Sequence, residues 1–266
     1  MKVASIQLDI AWKDKEENLK RAEHFIRIAK NDNCDLVIFP EMFNVGFSMN
    51  VASIAEPRNG PTTRKLCELA GRHDVNLIAG YAEQSDEKGK NVALSINRNG
   101  KVVERYVKNH PFSFANEHES YVPGTQQVVF KIDGAKCSMF ICYDLRFPEL
   151  FRKIAKDVEI IIVIANWPEV RQVHWESLLK ARAIENQCFV VGVNRIGKDG
   201  NGLVYGGGSH VYHPLGEDLS RGGKNQEYIV TELNIAEVGS IREKFPFLQD
   251  MKGCNPSSAT PFGSIG

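Results

Sequence analysis

The chain lacks net charge. Its 33 Lys and Arg are matched by 33 Asp and Glu over 266 residues. A protein that grips nucleic acid through its phosphates is usually basic, so neutrality argues against that partner as the default. Long apolar runs are missing too. The longest, Ile160 to Ala165, has the length of a strand, well short of the roughly 18 residues that span a bilayer. The first residues, MKVASIQLDIAW, hold no signal-peptide core and place Asp9 early,. A cytoplasmic protein with no membrane partner is expected. There is no CxxC pair among the six cysteines, which argues against a zinc ribbon or a thioredoxin-type motif. HxH and HxxxH are absent, so no metal is expected. The Gly-rich stretch from Gly197 to Gly208 matches neither GxGxxG nor a P-loop and reads as a flexible loop,.

What is present describes a folded domain. Hydrophobic residues make up 42% and aromatics 9%, too many for a disordered chain. The length suits one compact domain over 1–266, with a core that needs no disulfides. Short apolar runs alternate with amphipathic stretches. Lys2–Leu8, Asp35–Phe39, Val75–Ala82 and Val158–Ala165 read as strands. Asp14–Lys30, Pro61–His73, Phe147–Lys156 and Val173–Asn186 read as helices,. Asn99-Gly100 between Asn91–Asn97 and Lys101–Val107 is a strong hairpin signal,. Gln127–Ile132 and Lys136–Cys142 form another strand pair. Cys188–Asn194, Ser209–Tyr212 and Gln226–Leu233 complete the strands. Strands that arrive both as βα units and as hairpins predict an α/β fold with mixed sheets and helices outside.

Four residues stand where chemistry is usually placed. Cys142 ends an apolar strand just before a helix start, where N–H groups would favour thiolate and hold an oxyanion. Glu41 follows the strand DLVIF, in the position that α/β sheets give their sites. Desolvation would suit it to proton transfer. Lys108 ends the second arm of the hairpin, and Glu117 lies in the loop NEHESYVPG. Taken singly, each has a plainer reading: a buried thiol, an exposed loop acid, a strand-end lysine and a solvated acidic loop. A Cys–His pair of Cys142 with His110, His118 or His174 would be a competing arrangement.

Taken together, FPE at Glu41, YVKNH at Lys108 and ICYDLRFPE at Cys142 resemble the nitrilase superfamily of carbon–nitrogen hydrolases. The motifs fall in that family's order, 67 and then 34 residues apart. NEHESYVPG supplies a second glutamate, Glu117. The similarity runs through IANWP, HWESLLKARAIENQ and GGSHVYHPLGE, covering roughly residues 2 to 245. The segments FPEMFNVGFSMN, ANWPEVRQVHW, NRIGKDGNG and REKFPFLQD are similar to the omega-amidase branch, most of all its bacterial 2-oxoglutaramate amidase type.

The resemblance implies a four-layer α-β-β-α sandwich, normally dimerised, with no metal or organic cofactor. It implies a small-molecule amide substrate: the terminal amide of a 2-oxo dicarboxylic acid. An N-carbamoyl or aliphatic amide hydrolase with the same residues is the alternative, and a non-catalytic binding protein a remote one. Cys142 would be the nucleophile, Glu41 the acid–base, and Lys108 with the Tyr143 N–H the oxyanion partners, assisted by Glu117. Arg171 is the candidate cation for the substrate carboxylate. Arg146 is expected to anchor the loop after Cys142, and Arg182 to form a structural ion pair. Phe43, Phe47, Phe112 and Trp167 are expected to form an apolar wall.

Overall fold

The computed structural model describes residues 1–252; Cys254 lies outside them. The strands are β1 (Lys2–Gln7), β2 (Leu36–Ile38), β3 (Asn76–Gln84), β4 (Gly89–Ile96), β5 (Val102–Val107), β6 (Phe130–Ile132), β7 (Ala135–Ile141), β8 (Ile160–Ala165), β9 (Phe189–Asn194), β10 (Ile196–Lys198), β11 (Val204–Gly206), β12 (His210–Tyr212), β13 (Asp218–Arg221) and β14 (Glu227–Glu232). The helices are α1 (Lys15–Asn31), α2 (Val51–Ile54), α3 (Pro61–His73), α4 (Glu117–Ser120), α5 (Pro148–Ile154), α6 (Gln172–Asn186) and α7 (Ala236–Lys244).

Two six-stranded sheets run β14-β1-β2-β3-β4-β5 and β13-β12-β9-β8-β7-β6. Each has a parallel trio, β1-β2-β3 or β9-β8-β7, flanked by antiparallel strands. Side chains alternate across a strand. Val3, Ile38 and Ile78 therefore enter the core shared with the second sheet. Their neighbours Ala4, Val37 and Leu77 pack beneath α1 and α3. Burial on both faces explains the unbroken apolar runs. On the far side, Leu150 and Phe151 of α5 and Trp175 and Leu179 of α6 cover β7–β9. The layers are α-β-β-α, as the family resemblance implies.

Local chemistry sets the boundaries. Asp14 caps α1 by accepting from Glu17 N–H at 3.0 Å, and the buried stripe is Ala22, Phe25, Ile26 and Ala29,. Pro61 opens α3,. The stretch Gly197–Gly208 departs from its expected looseness: β10 and β11 pair antiparallel within it. Asp199 ties that hairpin by accepting from Tyr205 Oη and from the N–H groups of Asn201 and Leu203. No helix among the described residues is long and apolar enough to cross a membrane. The two parallel trios point their C-terminal ends at one region. Glu41 follows β2, Cys142 follows β7, Asn166 follows β8 and Arg195 follows β9. That edge is where open α/β sheets place their ligands.

Candidate active site

Cys142 opens a 3-10 turn that runs to Arg146. Its φ is +47°, a left-handed conformation that costs a non-glycine residue roughly 1–2 kcal/mol. Strained strand-to-helix turns of this kind expose a nucleophile at the end of a sheet. The N–H of Tyr143 lies in the first turn, with no helical carbonyl before it to bond,.

Behind the turn sits a buried polar web. Glu41 is 0% exposed, Lys108 1% and Glu117 0%. Lys108 Nζ lies 3.0 Å from Glu41 Oε1 and 2.8 Å from Glu117 Oε2. Asn91 Nδ2 donates to Glu41 Oε1 at 2.7 Å and to Glu117 Oε1 at 2.9 Å. Asn166 donates to Glu41 Oε2 from its backbone N–H at 2.8 Å and from Nδ2 at 3.3 Å. The Cys142 Sγ contacts the Asn166 carbonyl at 3.8 Å. An ammonium has three N–H donors. Two point at carboxylates, and Lys108 also lines the cavity beside Cys142, so the third is free for an oxygen there.

Burial works against charge on Lys108. Glu117, Glu41 and Cys142 outweigh it and hold its pKa well above the ordinary lysine value. Burial raises the Glu117 carboxyl, with Lys108 pulling it back and Glu41 adding to the rise. Cys142 corrects an expectation. The helix start does not make it a thiolate: burial, and then Glu41, push the thiol well above 9.0 despite Lys108. A thiol raised in this way calls for a base when it attacks,.

A cavity of about 630 Å³ opens over the sulfur. Cys142, Tyr143, Lys108, Asn166, Phe47, Phe112 and Trp167 line it, as do Arg146 and Arg171. Arg146 stacks 4.8 Å over Trp167 and donates to His174 Nδ1 at 3.1 Å; Arg171 stacks 5.3 Å over Phe112. Neither forms an ion pair among the described residues. The acid in the lining, Asp199, is occupied within its own hairpin.

Residues 2–243 match the carbon-nitrogen hydrolase family. The chain belongs to that family. It is 36% identical to the omega-amidase YafV of Escherichia coli K12, over 94% of this chain and 96% of that protein. It is 32% identical to the 2-oxoglutaramate amidase of Bacillus subtilis, over 94% of this chain and 97% of that one. A solved structure of a CN-hydrolase superfamily protein from Xanthomonas campestris, which carries an arsenic adduct in its active site, superposes with a TM-score of 0.91. That protein is 31% identical, with 95% of this chain and 97% of that one covered.

In this carbon–nitrogen hydrolase the fold brings Glu41, Lys108, Glu117, Cys142 and Tyr143 together, with Arg171, Phe112 and Trp167 in the adjoining wall. Phe43 is a correction. It is fully buried beneath the first sheet, 5.1 Å from the ring of Phe39, and does not line the cavity. A residue so close after a strand end still follows the strand's inward packing. Arg146 is another correction, since it lines the cavity instead of merely anchoring its loop. Arg182 pairs with Glu185 at 2.9 Å. His110 faces Asp144, and His174 faces Arg146. Neither histidine is bonded to Cys142.

Four contributors escaped the sequence reading. Asn166 follows an apolar strand just as Glu41 does, and the same strand-end rule would have found it. Asn91 is buried within β4, a strand that also carries Lys90 and Ser95. The far wall holds Trp12 and Tyr205. A Cβ on Gly200 would lie 2.1 Å from Trp12 Nε1, so glycine is what lets the β10–β11 hairpin close on that indole.

Proposed function

We propose that this hydrolase is an omega-amidase. It would convert the terminal amide of 2-oxo dicarboxylic acid monoamides, 2-oxoglutaramate and 2-oxosuccinamate, to 2-oxoglutarate or oxaloacetate and ammonia. The observation that carries the reading is the pair of guanidiniums, Arg146 and Arg171, in the same cavity as Cys142. Guanidinium binds carboxylate through paired N–H donors, and stacking on a ring fixes its plane. Arg171 makes no side-chain hydrogen bond among the described residues, and Arg146 gives one terminal nitrogen to His174 and keeps its other donors. The similarity to an omega-amidase and to a 2-oxoglutaramate amidase supports the same substrate class.

The web supports the following reaction. Glu41 takes the thiol proton as Cys142 Sγ attacks the amide carbon. Lys108 Nζ and the Tyr143 N–H hold the resulting oxyanion. Amide anion is a poor leaving group, so protonated Glu41 gives its proton to the nitrogen as the C–N bond breaks. Ammonia departs and a thioester to Cys142 remains. Water then attacks the thioester carbon, losing its proton to Glu41, with Glu117 holding Lys108 and sharing Asn91. The C–S bond breaks and the sulfur recovers the proton from Glu41.

The test is ammonia release from 2-oxoglutaramate, 2-oxosuccinamate, an N-carbamoyl amine, a simple aliphatic amide and a nitrile. The 2-oxo acid amides are expected to give the highest kcat/KM. Preference for a neutral amide or a carbamoyl compound would overturn the substrate assignment. Cys142→Ala is expected to abolish turnover and to lose the acyl-enzyme mass seen on quenching the wild type.

A further inference from the structure

We propose that Asp144 is a positioning residue that sets the spacing between the Lys108 ammonium and the Cys142 sulfur. Asp144 is 0% exposed and lies two residues past the cysteine. Its Oδ2 accepts from Tyr106 Oη at 2.8 Å and from Ile141 N–H at 3.2 Å. Its Oδ1 accepts from His110 N–H at 2.8 Å and faces His110 Nδ1 at 3.2 Å. Tyr106 and His110 lie two residues either side of Lys108, and Ile141 directly precedes Cys142. One carboxylate thus binds both flanks of the lysine and the residue that leads into the nucleophile.

The placement has mechanical meaning. Lys108 follows β5 of the first sheet, whereas Cys142 follows β7 of the second. Between two sheets that share a greasy core, packing alone sets position loosely compared with the three directional contacts that Asp144 makes across them to Tyr106 and His110,. Burial, and then Asp144, hold the Tyr106 hydroxyl well above its ordinary pKa, so it stays a donor. The bond to Ile141 N–H also braces the backbone just ahead of the left-handed Cys142, a conformation that persists where its surroundings over-determine it. Asp144 touches neither the cavity nor the sulfur, and would act through the two residues that do.

Asp144→Asn keeps the size but turns an N–H₂ toward donors that need an acceptor. Tyr106→Phe removes one of the bonds and leaves the carboxylate in place. For the best amide of the panel, Asp144→Asn is expected to lower kcat about 100-fold with KM within about 3-fold, as a misplacement of roughly 1 Å does. Tyr106→Phe should move kcat the same way by about 10-fold. The decisive readout is alkylation of Cys142 by iodoacetamide. Lys108 draws the thiol toward thiolate, so a displaced lysine slows alkylation. General loosening of the fold would expose the sulfur and speed it. Slower alkylation with lower kcat supports the proposal. Faster alkylation, or a kcat within about 2-fold of wild type in a folded variant, overturns it. If Asp144→Asn does not fold, Tyr106→Phe decides. The proposal rests on Cys142 as nucleophile, which the Cys142→Ala measurement tests separately.

Discussion

Asn166 grips Glu41 at three points. Its backbone N–H and its side-chain amide both donate to Oε2, at 2.8 and 3.3 Å, and the same amide donates to the Glu41 carbonyl at 2.6 Å. Two acceptors on one side settle which end of the amide faces Glu41. Asn166→Ala keeps the backbone contact and releases the side-chain ones. The carboxylate then swings about its remaining bonds, and kcat is expected to fall about 100-fold with a smaller change in KM. Steady-state ammonia release checks this. An unchanged kcat would mean that Asn91 and Lys108 suffice to aim Glu41.

The sulfur should rest as a thiol. Burial, and then Glu41, raise its pKa well above 9.0, and Lys108 does not reverse the rise. At neutral pH the wild type and Cys142→Ser should have the same ultraviolet thiolate absorbance, separating only well above pH 9.0. The linkage has a definite sign. The folded state holds this proton more tightly than the unfolded chain does. The resulting stability is complete below 9.0 and is lost as pH rises through the folded value,. Melting temperatures of wild type relative to Cys142→Ser should therefore decline on the alkaline side.

Arg146 and Arg171 make a paired prediction. A charge-assisted hydrogen bond contributes about 1.5–3 kcal/mol. Each of Arg146→Gln and Arg171→Gln is then expected to lower kcat/KM for 2-oxoglutaramate by roughly 10- to 100-fold. The quantity to compare is the ratio of that value to kcat/KM for a neutral aliphatic amide. The ratio should fall in both variants. A constant ratio in both would remove the arginines from carboxylate binding.

Gly80 faces the acid–base residue at close quarters. A Cβ there would lie 2.7 Å from Glu41 Cα, 2.8 Å from Met42 N and 2.9 Å from Ile164 Cδ1. Two of these are backbone atoms, which cannot turn aside. Gly80→Ala is expected to cost about 1–3 kcal/mol of stability through overpacking. It should also lower kcat by pushing Glu41 off its partners. Denaturant melts and initial rates measured together check both effects.

The sheets were legible because strands buried on both faces are apolar without a break, and the helices because their stripes recur at helical spacing. Glu41 and Cys142 each stand at the end of such a strand, but it was the resemblance of the motifs around them to the family's that singled them out. Asn91 and Asp144 were not legible, since an amide or acid inside a short motif has no pattern to mark it. Apart from Ile141 beside Asp144, their partners lie 26 to 50 and 34 to 38 residues away, and only folding pairs them. The thiol's protonation was misjudged for a related reason. The N–H groups are local and visible in the order of elements, whereas the burial that raises the thiol is set by the folded chain and the Glu41 charge comes from the opposite sheet. The β10–β11 hairpin looked like loose glycine because its fastening, Asp199 to Tyr205 and Gly200 to Trp12, is set by side-chain contacts and not by periodicity.

The cavity carries its unpaired guanidiniums on the wall, and two carboxyls stand behind its floor. For the substrate proposed, this decides which way round the molecule enters. A carboxylate turned toward Cys142 would meet Glu41 and Glu117, and like charges in a desolvated site repel strongly. Turned the other way, it meets Arg146 and Arg171 and leaves the uncharged amide over the sulfur. Hydrolysis then converts that amide into a second carboxylate beside the two acids. The product is repelled at the end where the substrate was tolerated, so the charge layout that admits the reactant also expels what it becomes.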